Sequence, residues 1–533
     1  MTRAPVTWYF DLRLLRTFSW LSFIFVSTLL ISRTNGAQLR YVQQRTASGV
    51  LEGVVSADGK VRTFKGIPYA TPPVGPLRWK PPQPITPWKG VRKAVDYGPR
   101  CMQTDVFSDM VFRDEGPSED CLYLNLWMPE VHSKARLPVM VWIYGGGFRA
   151  GSTSEPRQDG GNLSKKGVLI VSMNYRLGIF GFFSHPELAK ESGHDASGNY
   201  GLMDQVAALK WVKENIASFG GDPDNVTIFG ESAGSSSVSA LMASPLAKGL
   251  FARAIGESGA LFSPDLKSRS ETEKRDMAFM KSAAGTDSLE ALRNKSSAAI
   301  QEAASREGAP RFSPNIDGYF LPESPQAIFA AGKQSHVPLI AGWNLDEGDY
   351  ESILGTDPPT RENFEAKVRK LYGNNADTLL KLYPGTTADE VKRAAQDLAG
   401  DRFTALHTWE WLEAQLKTGS APAYRYRFEE TLPLPAESPP DAEARSPHSG
   451  EIEFVFEVLS SKDLPWRPED EKVSDLMSSY WTNFAKTGDP NGEGLAPWPA
   501  YEPRKFEVMH LNVDPHAAPD EHRARYEFLS QIH

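Results

Sequence analysis

The chain has 533 residues, of which 40% are hydrophobic and 11% aromatic, so it can bury a large core and is not a disordered protein. Its formal net charge is -9 and it has no long basic run, so nucleic acid is not an expected partner. The length allows several domains or one large α/β domain with insertions.

The beginning of the chain has the layout of a secretory signal peptide. Basic residues precede the apolar run FSWLSFIFVSTLLIS (18–32), and small residues follow it. The run is too short to span a bilayer comfortably, which favours a cleaved signal at residues 1–37 over a retained anchor. We therefore expect a secreted or periplasmic protein, with residues 38–533 as its folded domain and no stable membrane anchor after cleavage.

Two cysteines, Cys101 and Cys121, lie in the exported part. An oxidising compartment favours pairing them, which closes a loop of about twenty residues and stabilises the fold by about 3 kcal/mol in the chain-entropy model. Two free buried thiols are the alternative. The spacing matches neither a zinc site nor a thioredoxin-type motif.

Four apolar runs predict buried strands, with helical stretches such as GLMDQVAALKWVKENIASF (201–219) between them. Continuous apolar strands that alternate with helices indicate a mostly parallel sheet covered on both faces, which is an α/β fold. In such folds the sites lie in loops at the carboxyl ends of the strands. The four runs are PVMVWIY (138–144), VLIVSMNY (168–175), NVTIF (225–229) and VPLIAGW (337–343).

A glycine cluster, Gly145, Gly146 and Gly147, follows the first of these strands. Acyl transfer needs backbone N–H groups aimed at a developing oxyanion, and glycines let a bare backbone approach the substrate closely. A flexible turn is the alternative reading of the cluster.

Ser232 lies between two glycines in NVTIFGESAG, where a short strand is followed by small residues that can begin a helix. A serine at such a turn is held on a strained elbow with its hydroxyl exposed, as a nucleophile requires. An ordinary Gly-rich turn is the alternative. The order of glycine cluster and serine is the order that acyl transfer in this kind of fold requires.

A serine nucleophile needs an acid and a histidine, which follow it in that order in this kind of fold. The segment AGWNLDEGDY offers Asp346, Glu347 and Asp349, and the chemistry of the residues alone does not choose among them. His448 is the preferred base because it lies in a loop rich in Pro, Ser and Gly. His407 is expected to pack in a helix, and the last four histidines are assigned to a charged C-terminal tail.

Eight segments taken together are similar to the type-B carboxylesterase family, the relatives of cholinesterases and some fungal lipases. The resemblance covers about residues 43–503 and implies an α/β-hydrolase fold, with a mostly parallel central sheet flanked by helices, as one large domain with loop insertions. The segments are FKGIPYATPPVGPLRW, EDCLYLNLW, VWIYGGGF, NYRLGIFGF, FGGDPDNVTIFGESAG, WNLDEG, GEIEFVF and YWTNFAKTGDPNG.

The same resemblance implies roles for individual residues. It implies that Cys101 and Cys121 form the family's first disulfide. The implied mechanism needs neither a metal nor an organic cofactor. It also implies two buried ion pairs, Arg78 with Glu119 and Arg176 with Asp204, and a second serine, Ser258, behind the triad. The implied catalytic residues are Ser232 as nucleophile, Glu347 as acid and His448 as base, with Gly146, Gly147 and Ala233 donating the oxyanion-hole hydrogens.

The expected activity is hydrolysis of carboxylic esters through an acyl-enzyme on Ser232, by a secreted microbial carboxylesterase that acts on small-molecule esters. The loop between the cysteines has no tryptophan where cholinesterases hold a quaternary ammonium, so choline esters are not the expected substrates. Two alternatives stay open: lipase-type specificity for longer acyl chains, and a catalytically silent adhesion or binding module of the same fold. The sequence carries no signal for the oligomeric state.

Overall fold

The computed structural model describes residues 40–130, 135–439 and 442–532, so the predicted signal peptide at residues 1–37 lies outside the described residues. The strands are β1 (Arg40–Thr46), β2 (Gly49–Val55), β3 (Val61–Pro68), β4 (Val91–Lys93), β5 (Arg100–Cys101), β6 (Pro117–Ser118), β7 (Tyr123–Pro129), β8 (Leu137–Ile143), β9 (Leu169–Met173), β10 (Gly221–Glu231), β11 (Arg253–Glu257), β12 (Leu339–Asn344), β13 (Ala423–Phe428), β14 (Glu507–Leu511) and β15 (His516–Pro519).

Helices separate most of the later strands. They are α1 (Gly161–Ser164), α2 (Gly178–Phe182), α3 (Pro186–Glu191), α4 (Tyr200–Asn215), α5 (Ala233–Ala243), α6 (Arg269–Ala284), α7 (Leu289–Arg293), α8 (Ser297–Ala304), α9 (Pro325–Ala330), α10 (Glu351–Leu354), α11 (Arg361–Tyr372), α12 (Ala376–Leu382), α13 (Ala388–Gly400), α14 (Leu406–Thr418), α15 (Ile452–Val455), α16 (Pro468–Thr487) and α17 (Arg523–Ile532). A π-helical turn, Asp401–Ala405, leads into α14.

One large sheet organises the described residues, in the order β1-β2-β3-β7-β9-β8-β10-β11-β12-β13-β14-β15, with β4 beside β2. The seven strands from β9 to β14 are mutually parallel, and antiparallel strands flank them on both sides. Every residue of β9 and β12 is buried, which explains why these strands are continuous apolar runs. The predicted mostly parallel, helix-covered α/β sheet is confirmed.

The four predicted strands are β8, β9, β10 and β12. The strand β10 begins earlier than predicted, because Gly221 pairs with Leu137 before a register shift and regular pairing resumes at Val226. The predicted helix over 201–219 is α4 followed by a short 3-10 turn.

The C-terminal segment is more ordered than its charged sequence suggests. His510 lies on β14 and His516 on β15, so their assignment to a charged tail is wrong. The strand β14 pairs with β13, and α17 buries Tyr526 and Leu529. Two apolar side chains one helical turn apart hold the helix on the core, although the polar residues around them dominate the composition.

Several covalent and ionic contacts anticipated above are present. Cys101 and Cys121 form a disulfide. Arg78 Nη2 lies 3.0 Å from Glu119 Oε2. Arg176 Nη2 lies 2.7 Å from Asp204 Oδ1, and both of these side chains are buried.

The chain changes direction in the sheet at β8. From β8 it goes to β9 on one side and then returns to β10 on the other side, so β8 and β10 border a topological switch point. In open parallel sheets, ligands bind outside the carboxyl ends of the strands at such a point. The glycine cluster follows β8 and Ser232 follows β10, so the fold places both at this position.

Among the described residues, no helix has the length and apolar character needed to cross a membrane.

Candidate active site

Ser232 occupies a strained turn between β10 and α5. Its backbone has φ 56° and ψ -118°, a conformation that non-glycine residues rarely adopt. Its N–H donates to the carbonyl oxygen of Glu257 at 2.8 Å, which ties the turn to β11. A Cβ atom at Gly259 would lie 2.7 Å from the carbonyl oxygen of Ser232. Close backbone packing therefore holds the elbow in place.

His448 joins Ser232 to Glu347. The Nε2 atom of His448 lies 3.0 Å from Ser232 Oγ, and its Nδ1 atom lies 2.6 Å from Glu347 Oε2. The other oxygen of Glu347 accepts a hydrogen bond of 2.8 Å from the backbone N–H of Asn344, at the end of β12. A carboxylate, an imidazole and a hydroxyl thus form one continuous chain of hydrogen bonds.

The two other acidic candidates, Asp346 and Asp349, bind other partners than His448. Asp346 accepts hydrogen bonds from the backbone N–H of Ser446 at 2.8 Å and from Arg393 at 2.8 Å, so it anchors the loop that carries His448. Asp349 is exposed and pairs with Arg445. Among the three acids after β12, Glu347 is the one in contact with His448.

The glycine cluster lies next to this serine. Gly146 has φ 92° and Gly147 has φ 63°, and the N–H groups of Arg149 and Ala150 donate back to the carbonyl oxygen of Gly146. A Cβ atom at Gly145 would lie 3.0 Å from Ser232 Cβ. Ala233 is the first residue of α5, where backbone N–H groups have no acceptor within the helix.

Glu231, the residue before the serine, adds a second carboxylate. Its Oε1 atom lies 3.1 Å from His448 Nε2, and the side chain is buried. Burial raises the pKa of Glu231 to about 8. Burial alone would lower the pKa of His448, but the carboxylates of Glu231 and Glu347 outweigh it and raise that pKa to about 10. The two carboxylates therefore stabilise a positive charge on the imidazole.

Behind these residues lies a buried polar layer. Asn344 donates to the carbonyl oxygen of Pro447 at 2.7 Å and to Glu451 Oε2 at 2.5 Å. Burial and the charge of Glu347 raise the pKa of Glu451 to about 7. Glu257 accepts from the indole N–H of Trp481 at 2.8 Å, and burial raises its pKa well above the usual range.

An open cleft of about 550 Å³ adjoins the site, and Glu347 and Phe403 are among its lining residues. The Phe403 ring is 54% exposed and stands edge-on to His448, with the ring centroids 4.9 Å apart. On the other side, a Cβ atom at Gly146 would lie 3.0 Å from Met110 Cε, in the disulfide loop. Apolar side chains thus border the candidate site. A second groove, of about 820 Å³, is larger than this cleft. The two have one lining residue in common, Pro264, and none of the candidate catalytic residues lines the larger groove.

Sequence reasoning missed Glu451, Asn344, Phe403 and Met110. Glu451 follows His448 by three residues, which is the one local signal of its position. Phe403 and Met110 come from distant segments, where neither periodicity nor a motif marks them.

A parallel sheet with a serine elbow at its switch point, together with a histidine and a glutamate from later loops, defines the class of α/β-hydrolases. Solved structures agree: a PNB esterase structure is similar at a TM-score of 0.77 and 35% sequence identity, over 93% of this chain and 100% of that one.

Comparison with known sequences shows which family the chain belongs to. The carboxylesterase family model matches residues 40–529. Fumonisin B1 esterase of Sphingopyxis macrogoltabida is 37% identical over 528 residues, covering 95% of this chain and 93% of the relative. Para-nitrobenzyl esterase of Bacillus subtilis (strain 168) is 38% identical over 493 residues, covering 88% of this chain and 94% of the relative. The chain belongs to the carboxylesterase family and is a carboxylic-ester hydrolase.

Proposed function

We propose that this chain hydrolyses esters through an acyl-enzyme on Ser232, with His448 as general base and Glu347 as the group that orients it. The observation that carries the proposal is the unbroken series of contacts from Ser232 Oγ to His448 Nε2 at 3.0 Å and from His448 Nδ1 to Glu347 Oε2 at 2.6 Å. These are the contacts that let an imidazole accept the serine proton while a carboxylate holds its tautomer.

The chemistry follows in two halves. Ser232 Oγ attacks the carbonyl carbon as its proton passes to His448 Nε2, and the carbonyl oxygen becomes an oxyanion. When the tetrahedral intermediate collapses, the bond to the alcohol oxygen breaks and His448 gives that oxygen the proton. Water then attacks the acyl-enzyme with its proton passing to His448, and the carboxylic acid leaves as Ser232 regains its hydrogen.

The oxyanion is stabilised by the backbone N–H groups of Gly146, Gly147 and Ala233. The positive φ values of the two glycines and the position of Ala233 at the start of α5 support this role. Removal of a single donor of this kind typically costs two to three orders of magnitude in rate.

Glu231 favours the imidazolium that forms in the transition state. Its carboxyl group is buried 3.1 Å from His448 Nε2, where a negative charge acts strongly on the ring.

The substrate class is that of small esters of carboxylic acids. The names of two relatives, a para-nitrobenzyl esterase and a fumonisin B1 esterase, support an ester as the substrate. The exposed Phe403 ring offers an apolar surface for part of such a substrate. Residues 1–37 are proposed to be a signal peptide that exports the enzyme, which is consistent with its disulfide.

The test is hydrolysis of p-nitrophenyl esters from acetate to palmitate by the purified chain and by the Ser232→Ala variant. We expect the wild type to cleave short acyl chains and the variant to lose several orders of magnitude in kcat/KM, with unchanged thermal stability. Preference for palmitate would instead indicate a lipase. If both proteins are equally inert on every ester, the catalytic role of Ser232 is wrong and a binding module becomes the better explanation.

A further inference from the structure

A positively charged side chain lies against the glycine loop. Nη2 of Arg311 is 3.4 Å from the carbonyl oxygen of Gly147, and a Cβ atom at Gly147 would lie 3.0 Å from the same nitrogen. The amide of Gly147 is one of the proposed oxyanion donors. A substrate bound at this loop therefore comes close to a guanidinium group.

This guanidinium has no carboxylate partner in the part of the chain that the structure describes. The neighbouring charge that acts on it is that of Arg149, which is also positive. Arg157, another arginine near the site, pairs with Glu155 at 2.8 Å. An unpaired arginine beside a second positive charge, in a protein of net charge -9, is a site for an anion.

The backbone around Arg311 is held firmly. The next residue, Phe312, is buried and packs edge-on against Phe183 and Phe279, with ring centroids 6.5 and 6.2 Å away. Asn315 donates to Ser184 Oγ at 2.9 Å. Arg311 itself stays accessible to solvent, and its guanidinium makes one hydrogen bond within residues 40–130, 135–439 and 442–532, the one to Gly147. The charge is thus presented from a rigid support, which favours a recognition role.

We propose that Arg311, assisted by the charge of Arg149, is a specificity residue that binds a carboxylate carried by the substrate, so that the enzyme prefers esters bearing a free carboxylate near the scissile bond. The inference rests on the proposed function, because it places the carboxylate relative to an ester held at Ser232. A planar guanidinium binds a carboxylate through two parallel N–H···O hydrogen bonds, which fixes orientation as well as charge.

The carboxylate can belong to the acyl part or to the alcohol part, and matched ester pairs distinguish the two. On the acyl side, monoethyl succinate is compared with ethyl butyrate, and monoethyl glutarate with ethyl valerate. On the alcohol side, 4-acetoxybutanoate is compared with butyl acetate. Each neutral ester carries a methyl group where its partner carries the carboxylate. Proton release is followed at constant pH for the wild type and the variants Arg311→Gln, Arg311→Lys and Arg45→Gln.

We expect the ratio of kcat/KM for the carboxylate ester to that for its neutral partner to fall about tenfold in Arg311→Gln, in one of the two series. In Arg311→Lys this ratio should fall less than in Arg311→Gln, because lysine keeps the positive charge. Arg45→Gln, which removes an exposed charge on β1, leaves the ratio unchanged. Added salt lowers the wild-type ratio and has little effect on that of Arg311→Gln.

If Arg311→Gln lowers kcat/KM equally for neutral and carboxylate esters, Arg311 only positions the glycine cluster, and the inference is overturned. A wild type that cleaves neutral esters with an unchanged ratio in Arg311→Gln also overturns it, while the proposed esterase function stands. If the wild type cleaves no ester of either kind, the proposed function fails together with the inference.

Discussion

Four of the eight non-glycine residues with positive φ in the described chain belong to the candidate site or adjoin it. Ser232, Phe148, Ser258 and Ser449 all have positive φ values between 55° and 62°, although none of them is glycine. They are the proposed nucleophile, the residue after the glycine cluster, a serine whose hydroxyl contacts Glu451 and the residue after His448. Conformations of this kind persist only where surrounding contacts impose them, and they aim side chains and amides that a relaxed backbone would point elsewhere.

The charge of Glu231 acts on the same imidazole as the charge of Glu347. Because both carboxylates raise the pKa of His448, Glu231→Gln is expected to lower that pKa. The catalytic base must be neutral, so the rising limb of kcat/KM against pH moves to lower pH, by about one unit or more. The measurement is the pH profile for p-nitrophenyl butyrate.

Glu362→Gln serves as the control because it removes an exposed carboxylate on α11. Its profile should match that of the wild type. An unchanged or upward-shifted limb in Glu231→Gln would show that Glu231 does not act electrostatically on His448.

The helix α5 packs closely against β8. Gly230 and Gly234 both face Ile143, and a methyl group at Gly234 would overlap the carbonyl oxygen of that residue. The short distance brings the start of α5 to the end of β8, next to the glycine cluster. The glycines of the GESAG motif are thus required by the packing of a helix on a strand.

Gly234→Ala tests this packing. The overlap is with backbone, which a side-chain rotation does not relieve, so we expect a destabilisation of about 2–3 kcal/mol together with a loss of activity. Chemical denaturation followed by circular dichroism measures the first effect, and kcat/KM measures the second. Ser236→Ala, on the same helix but half-buried, should retain both stability and activity. Wild-type behaviour of Gly234→Ala would mean that α5 does not depend on this contact.

The core of the whole molecule holds several carboxyl groups at its centre. Glu231, Glu257 and Glu451 are buried, and burial raises the pKa of each. Buried carboxyl groups cost folding free energy when they ionise, and here Glu231 and Glu451 act on the imidazole to which we assign a positive charge during the reaction. The arrangement favours catalysis over stability.

This arrangement predicts how stability depends on pH. Between the ordinary value of 4.5 and the raised values of about 7 for Glu451 and about 8 for Glu231, the folded chain binds more protons than the unfolded chain. The free energy of unfolding contributed by these groups therefore falls as pH rises through that window. The pKa values of Glu390 and Glu429 are lowered to about 2, so these two groups change the free energy of unfolding only below pH 4.5.

We accordingly expect the Tm to fall from the acidic to the alkaline end of that window. In Glu451→Gln the decline should be shallower, because one titrating group is gone. Calorimetric scans at a constant rate measure both slopes, with Glu362→Gln as the variant that should keep the wild-type slope. A Tm that rises across the window, or parallel declines in the wild type and Glu451→Gln, would contradict the assignment.

The order of the motifs along the chain was sufficient to predict the α/β sheet, the serine elbow, the glycine cluster and His448 as candidates. These features are local: an apolar run, a strand-to-helix turn and a loop can each be recognised within about ten residues. The resemblance to the carboxylesterase family added the choice of Glu347, and the family itself is now shown by the comparisons.

Contacts between distant segments were decided only by the tertiary structure. Asp346, Glu347 and Asp349 differ little in sequence context, and it is the end of β12, through the N–H of Asn344, that turns Glu347 toward His448. Arg311 reaches Gly147 across a separation of 164 residues, from a segment without periodicity. Such proximity depends on how the chain closes in space, because hydrogen bonds act over only about 3 Å and a local stretch of sequence does not specify which distant segment it meets.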